Sequence, residues 1–321
     1  MHFFQLPRLA VIKKRRIYTT TALWPQRKPQ KPFMKVLCTG ATGPYLKQDP
    51  SFDVMAIIIK TQKDLEKLRV AGQLAAEVLV EIAPFVKAGV TTGELNARMA
   101  EHMRQQGTTS ATLGYHGFPA ESCISVNDVV CHGIPDDGKK LKNGDIVNID
   151  VTVIKDGYHG DNSMMFEVGK VKPFAHRLCR VAHECLWLGI EAVKPEATLY
   201  DIAQAIETHA HNNDFSVVEE YCGHGIGQAF HEEPQVVHCT QPDLKNTVLK
   251  EGMVFTIEPM INQGAAAIKT LGPNKKHPDN TIFPVKTVDR KLSAQWEHTI
   301  AVTADGYEVL TLRPGETPVL P

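Results

Sequence analysis

From Thr61 onward apolar side chains recur every three or four positions: Leu65, Leu68, Ala71, Leu74, Ala75, Val78, Leu79 and Ile82. At 3.6 residues per turn this spacing lays them along one face of a helix. Thr61-x-x-Asp64, just ahead of it, is a capping box, in which each side chain satisfies the other residue's backbone N–H. An amphipathic helix is therefore expected to open a folded body. A second box, Thr91 to Glu94, predicts a helix through Leu95 and Met99 that stops near Gly107, and a third, Thr198 to Asp201, precedes Ile202 and Ile206. Between them, β-branched and apolar residues from Asp145 to Val168 flank Lys155-Asp156-Gly157, the turn chemistry of a β-hairpin. With a two-residue turn, Asp150 and Asp161 fall on one face of that hairpin, opposite or diagonal to each other.

The pattern repeats. The segment from Val86 to Thr91 matches Val193 to Thr198 at an offset of 107 residues, and Leu141 to Asp150 matches Leu249 to Glu258 at an offset of 108. Agreement of the helix and strand offsets favours two duplicated halves over coincidence. Each copy ends its apolar run in a carboxylate, so packed halves would present Asp150 and Glu258 to a shared centre.

Two further strands are expected, Met253 to Met260 and Ala294 to Val302, and they place Glu258 and Glu297 inside apolar runs. Buried carboxylates are costly unless compensated, and lysine and arginine are scarce beside Asp150, Asp161, Glu258 and Glu297. Acids on the solvent side of an ordinary hairpin are the simpler reading of Asp150 and Asp161 alone. The apolar run Ile146 to Ile149 weakens it, because it carries Asp150 toward the interior. A Gly-rich stretch, Tyr221-Cys222-Gly223-His224-Gly225-Ile226-Gly227, followed by Phe230-His231-Glu232-Glu233-Pro234, disfavours helix or regular strand and lets the backbone approach a bound group. One histidine there is accounted for by backbone hydrogen bonding; two, followed by acids, favour a site. Four carboxylates and one imidazole are too rich in oxygen for a closed structural zinc site and suit two divalent ions doing metal-assisted hydrolysis.

Composition narrows the picture. A chain of 321 residues, 43% hydrophobic, can bury a sizeable core, and it contains no run of about 20 apolar residues that would cross a bilayer. A formal net charge of −1 argues against a chain-wide nucleic-acid partner. Seven cysteines without a C-x-x-C pair favour a reducing compartment and small buried side chains over disulfides or thiolate metal sites. Residues 1–54 stand apart. Ten Lys and Arg and no acid occupy positions 1–48, broken by prolines. A basic, disordered extension is favoured there over an organelle-targeting leader, with the catalytic domain running over 55–321 and a cytoplasmic location. His102, His176, His183, His209 and His211 sit at helical positions without partnered acids and are expected at the surface.

These residues closely resemble the type I methionine aminopeptidases, of the "pita-bread" metallopeptidases, from Met55 to about Arg313. The resemblance rests on Gly114-Tyr115-His116-Gly117-Phe118-Pro119, Val130-Cys131-His132-Gly133-Ile134-Pro135, Asn148-Ile149-Asp150-Val151-Thr152, His159-Gly160-Asp161, Cys222 to Gly227, Phe230 to Pro234, Thr256-Ile257-Glu258-Pro259 and Gln295-Trp296-Glu297-His298-Thr299. It implies an α+β pita-bread fold, two pseudo-symmetric halves forming a central antiparallel sheet covered by helices, around a dinuclear metal site. It implies that Asp161 and Glu297 bridge two ions, Asp150 holds one, and His224 with Glu258 hold the other. The ions could be cobalt, manganese, iron or zinc. By the same resemblance, water activated by the metals attacks the methionyl carbonyl and Glu258 shuttles the proton. His231 stabilises the tetrahedral intermediate and His132 orients the substrate. Tyr115, His116, Phe118, Cys123 and Phe230 line the methionine pocket. The implied substrates are nascent polypeptide N-termini near the ribosome, preferably with a small second residue, and the implied enzyme is a monomer.

The sequence departs from the commoner family pattern at Thr112, where cysteine is frequent, and near Phe283, where tryptophan is frequent, and its loop from Gly264 to Pro284 is longer than usual. Two other readings compete: a proline-specific dipeptidase or aminopeptidase of the same fold, and a binding protein that has lost the metal. The first would carry a large folded N-terminal domain, and the second would not retain a complete ligand set.

Overall fold

All three capping boxes close as the sequence predicts. In the computed structural model, which describes residues 56–273 and 275–318, Thr61 caps helix α1 (Gln62–Ile82) and Thr91 caps α2 (Thr92–Gln105). Helix α3 (Pro173–Glu191) starts on proline without a side-chain cap, and Thr198 caps α4 (Leu199–Asn212). The expected boundary at residues 54–55, and the basic segment before it, lie outside the described residues.

The first half contributes strands β1 (Thr109–Ser110), β2 (Cys123–Val126), β3 (Val129–Cys131), β4 (Ile146–Lys155) and β5 (Tyr158–Glu167). The second contributes β6 (Ser216–Val217), β7 (Gly223–Gly225), β8 (Glu232–Val236), β9 (Val254–Ile257), β10 (Met260–Asn262), β11 (Ile268–Thr270), β12 (Val285–Thr287), β13 (Ser293–Gln295), β14 (His298–Val302) and β15 (Tyr307–Val309). Hydrogen-bonded pairs between these strands are antiparallel. Hairpin β4–β5 turns through Asp156 and Gly157, both at positive φ (49° and 82°), as a two-residue turn requires. Asp150 faces Ser163 and Thr152 faces Asp161, so the two acids are diagonal neighbours on one face, as expected.

The antiparallel strands form hydrogen-bonded sets of four, three, three and five. The two long strands expected over 253–260 and 294–302 each break at a carboxylate. Strand β9 pairs with β14 in one set and β10 with β13 in another, with Glu258-Pro259 and Trp296-Glu297 at the breaks. Proline cannot donate to a ladder, and the Glu297 N–H donates instead to the Ser163 carbonyl of β5 at 3.1 Å. Both acids thus stand where the strands change sheet. The stretch Gly223-His224-Gly225 is also a short strand after all, between β8 and β9. A Cβ on Gly223 would lie 2.3 Å from the Thr256 carbonyl oxygen, and one on Gly225 2.2 Å from that of Glu233. Here glycine permits the strand, because both neighbouring backbones come too close for any side chain.

The duplication is visible in matched contacts. Thr91 bridges Lys140 and Thr198 bridges Val248; Leu141 N–H donates to Val90 and Leu249 N–H to Ala197. The equivalent glycines Gly144 and Gly252 both sit in the left-handed region, φ 95° and 84°. Each half has its own core. Under α1 and α2 lie Leu79, Ile82, Leu95, Met99, Val147, Ile149 and Val151, and under α3 and α4 lie Leu186, Trp187, Ile190, Ile202, Ile206, Phe255 and Ile257. Two of the histidines expected at the surface without partners are half-buried and paired with acids. His209 meets the buried Glu184 at 2.8 Å, and His183 accepts from Trp187 Nε1 at 3.1 Å and meets Glu316 at 3.2 Å. Their acidic partners lie on another helix or near the C-terminus, which local spacing does not reveal.

Helix α1 lies on β4 and β5 so closely that a Cβ on Gly160 would come within 2.3 Å of the Ala71 carbonyl. Gly160→Ala is expected to cost about 1–3 kcal/mol by overpacking, read as a lower denaturation midpoint at unchanged m-value.

Candidate active site

Asp161 comes from the centre of β5, His224 from β7, and Glu297 and Glu258 from the two strand breaks. One ligand atom from each of Asp161, His224 and Glu297 lies within 4.8 Å of the other two, and all three residues are buried. Glu258 Oε1 stands 3.7 Å from His224 Nε2, and Asp161 Oδ2 stands 3.6 Å from the same nitrogen. Asp150, half-buried on β4, completes the acidic group: burial and then the charge of Asp161 raise its pKa well above the ordinary carboxylate value. The carboxyls of Glu258 and Glu297 are raised in the same way, by burial first and then by Asp161 and their other acidic neighbours.

Each group is held by a partner behind it. Thr152 Oγ1 donates to Asp161 Oδ1 at 2.8 Å, and Gln295 Nε2 donates to Glu258 Oε2 at 3.1 Å. The Thr256 hydroxyl accepts the His224 N–H at 3.0 Å and donates to Glu258 Oε1 at 2.9 Å, tying two elements together through one side chain. His224 Nδ1 lies 3.0 Å from the Gly225 carbonyl, which can only accept. Nδ1 is therefore the donor in this contact, and Nε2 is turned toward the acids. The Glu258 N–H donates to Nε2 of His238, a neutral imidazole pushed down to about 3 by burial.

A group of rings stands beside the acids. His231 lies 4.2 Å from His224 and 4.3 Å from Phe230, ring centre to ring centre, and its Nδ1 is 2.8 Å from the Tyr115 hydroxyl. Tyr115 packs against Phe230 at 5.0 Å and edge-on to His116 at 4.5 Å. Burial and then the neighbouring imidazoles hold His231 well below its usual pKa, and burial pushes His132 down to about 4. His132, at a positive φ of 56°, sits edge-on to the Tyr221 ring. Phe118 and Cys123 form a separate buried cluster with Ala120, and Cys123 is the cross-strand partner of Asp150.

Sequence reasoning missed several members. His159 is buried and stacks on Phe230, with rings 11° from parallel; it lies two residues from Asp161, on the same strand face, which is a signal that was present. His238 lies in the run Val236 to Cys239, where an imidazole among apolar residues is itself a cue. Positive charge is also less scarce than expected. Arg313 is buried beside Glu297, donating to Asn162 Oδ1 and paired with Glu316 at 2.6 Å; it comes from the end of the chain, far from the acids in sequence. One cation does not balance four carboxylates, and the donor set fits divalent ions.

A model of metallopeptidase family M24 matches residues 66–304. The chain belongs to that family. Divalent metal ions are accordingly part of its chemistry. The methionine aminopeptidase of Salmonella typhimurium is 57% identical over 264 residues, 82% of this chain and 97% of that protein, and that of Escherichia coli strain K12 is 56% identical over the same length. The crystal structure of methionine aminopeptidase from Rickettsia prowazekii is 47% identical, with a TM-score of 0.76 over 80% of this chain and 100% of that one. Prolidase from Pyrococcus furiosus, at 22% identity and a TM-score of 0.63, shares the fold alone, and this chain spans 65% of it. The M24 chain therefore has the pita-bread fold that the sequence motifs imply.

A carboxyl whose pKa is higher in the folded than in the unfolded state stabilises the fold below its unfolded value, about 4. That contribution is lost as the pH rises. Asp150, Glu258 and Glu297 are all of this kind, and cations that neutralise the ionised cluster should restore the loss. Chelation is expected to lower the unfolding temperature strongly at pH 7.5 and little at pH 4.5. An equal drop at both would place the ions elsewhere.

Proposed function

We propose that this M24 protein is a methionyl aminopeptidase that removes the initiator methionine from nascent polypeptides, preferentially when the second residue is small. The observation that carries the reading is the buried group of Asp161, His224 and Glu297 with Glu258 against the imidazole, beside a cluster of rings fit for a thioether side chain. In this reading Asp150, Asp161, His224, Glu258 and Glu297 would together hold two divalent ions. Such ions supply Lewis acidity, lowering the pKa of water and polarising a carbonyl.

The chain's own residues do the rest. Glu258, with one oxygen held by Thr256 and the other by Gln295, accepts the proton of the attacking water and returns it to the leaving amine. When the Tyr115 hydroxyl donates to His231 Nδ1, the imidazole proton is on Nε2, a donor for the developing oxyanion. His132, kept neutral by burial, orients the substrate near the scissile amide. Tyr115, His116, Phe118, Cys123 and Phe230 receive the methionine side chain. The reading assigns the enzyme to the cytoplasm, as a monomer acting near the ribosome, after a dispensable extension of 54 residues. The six cysteines among the described residues are all buried. No helix among the described residues is long and apolar enough to cross a membrane.

Release of methionine from a Met-Gly-Met peptide, by the full chain and by residues 55–321, tests this directly. Activity should require added divalent metal and vanish in His224→Ala and Asp161→Ala. His231→Ala should lower kcat by roughly 100- to 1,000-fold, the usual effect of deleting one oxyanion donor. Absence of release with every metal would sink the assignment.

A further inference from the structure

The long loop from Gly264 to Pro284 plays no part in the chemistry above, yet it is anchored at both ends of the substrate cleft. At its base, β11 and β12 pair from Ile268–Thr287 to Thr270–Val285, and Leu271 N–H donates to the Pro284 carbonyl at 2.9 Å. Strand β12 in turn pairs with β3, Val285 opposite Cys131, immediately before His132. At its tip, the Thr281 N–H and hydroxyl both donate to the His116 carbonyl, at 2.9 and 3.1 Å. The approach is tight: a Cβ on Gly117 would lie 2.0 Å from the Asp279 carbonyl oxygen, and Gly117 has a φ of 78°. The hairpin therefore spans from the strand that delivers His132 to the turn that carries Tyr115 and His116.

What the tip presents there is Ile282. Asn280 is buried and its Oδ1 accepts the Ile282 N–H at 2.9 Å, which fixes the isoleucine backbone. The half-buried Ile282 side chain packs against Phe118, Ala120 and Cys123. Cys123 is the cross-strand neighbour of Asp150, so this apolar cluster adjoins the carboxylates.

We propose that Ile282, braced by Asn280 and Thr281, is a specificity-determining residue that limits the size of the substrate's first side chain. The inference rests on the methionyl aminopeptidase reading and adds a wall to its pocket. In an apolar pocket each methylene of fit changes kcat/KM by roughly 10- to 200-fold, so shortening a wall residue should admit a larger side chain.

The test uses the full-length, metal-loaded protein and two peptides that differ only in beginning with methionine or phenylalanine. Ile282→Ala is expected to raise kcat/KM for the phenylalanine peptide relative to the methionine peptide by about 10-fold or more, with bound metal unchanged. Ile282→Val, which removes one methyl group and serves if the alanine variant does not fold, should move the ratio the same way by less. Thr281→Pro, which deletes both bonds to His116, should also relax selectivity. A ratio that stays fixed in these variants, or equal losses on both peptides, would overturn the proposal while leaving the enzyme assignment intact. No methionine release by the unaltered protein would overturn both.

Discussion

Four carboxylates gathered around one imidazole repel one another, and the surrounding protein removes most of the water that would screen them. Asp150, Asp161, Glu258 and Glu297 have one buried arginine, Arg313, near them as compensation. Such a cluster is stable only with cations to share, and much of the architecture consists of devices that hold the acids in place despite their repulsion. Thr152, Thr256 and Gln295 each spend a hydrogen bond on a carboxylate oxygen. A strand break delivers Glu258 and another delivers Glu297, where continuous strands would have alternated them with their neighbours.

The duplicated halves explain how those acids meet. Each half repeats a capped helix, a glycine at positive φ and a strand running toward the centre, with its own core behind it. Neither half holds the whole set. The first supplies Asp150 and Asp161, the second His224, Glu258 and Glu297, so the site exists only when the two are packed together. The β5–Glu297 bridge and the Asn148 bond to the Gln295 carbonyl at 2.9 Å are direct links across that junction.

The substrate side is built on different principles. His231, Phe230, Tyr115 and His159 are held by ring contacts and by one bond between a hydroxyl and an imidazole, in a setting whose burial keeps His231 neutral. Neutral imidazoles suit a site whose charge is negative before metal arrives and whose reaction develops negative charge on oxygen. The β11–β12 hairpin touches the turn that carries Tyr115 and His116 through the His116 carbonyl, a backbone atom that no side-chain motif records.

The sequence by itself determined the local elements and the identity of the reactive groups. Capping boxes, the Asp-Gly turn and the diagonal register of Asp150 and Asp161 follow from interactions between residues a few positions apart, so they are legible in one strand of text. The motifs around His224, Glu258 and Glu297 identified the family for the same reason. Helix α3 has no side-chain cap at Lys172, and Pro173 at its first position is its one local start signal. Tertiary structure alone decided the strand breaks, the role of Gly223 and Gly225, the acidic partners of His183 and His209 and the approach of Arg313. Each of these depends on a backbone or a charge brought in from far along the chain, and local periodicity carries no record of such a neighbour.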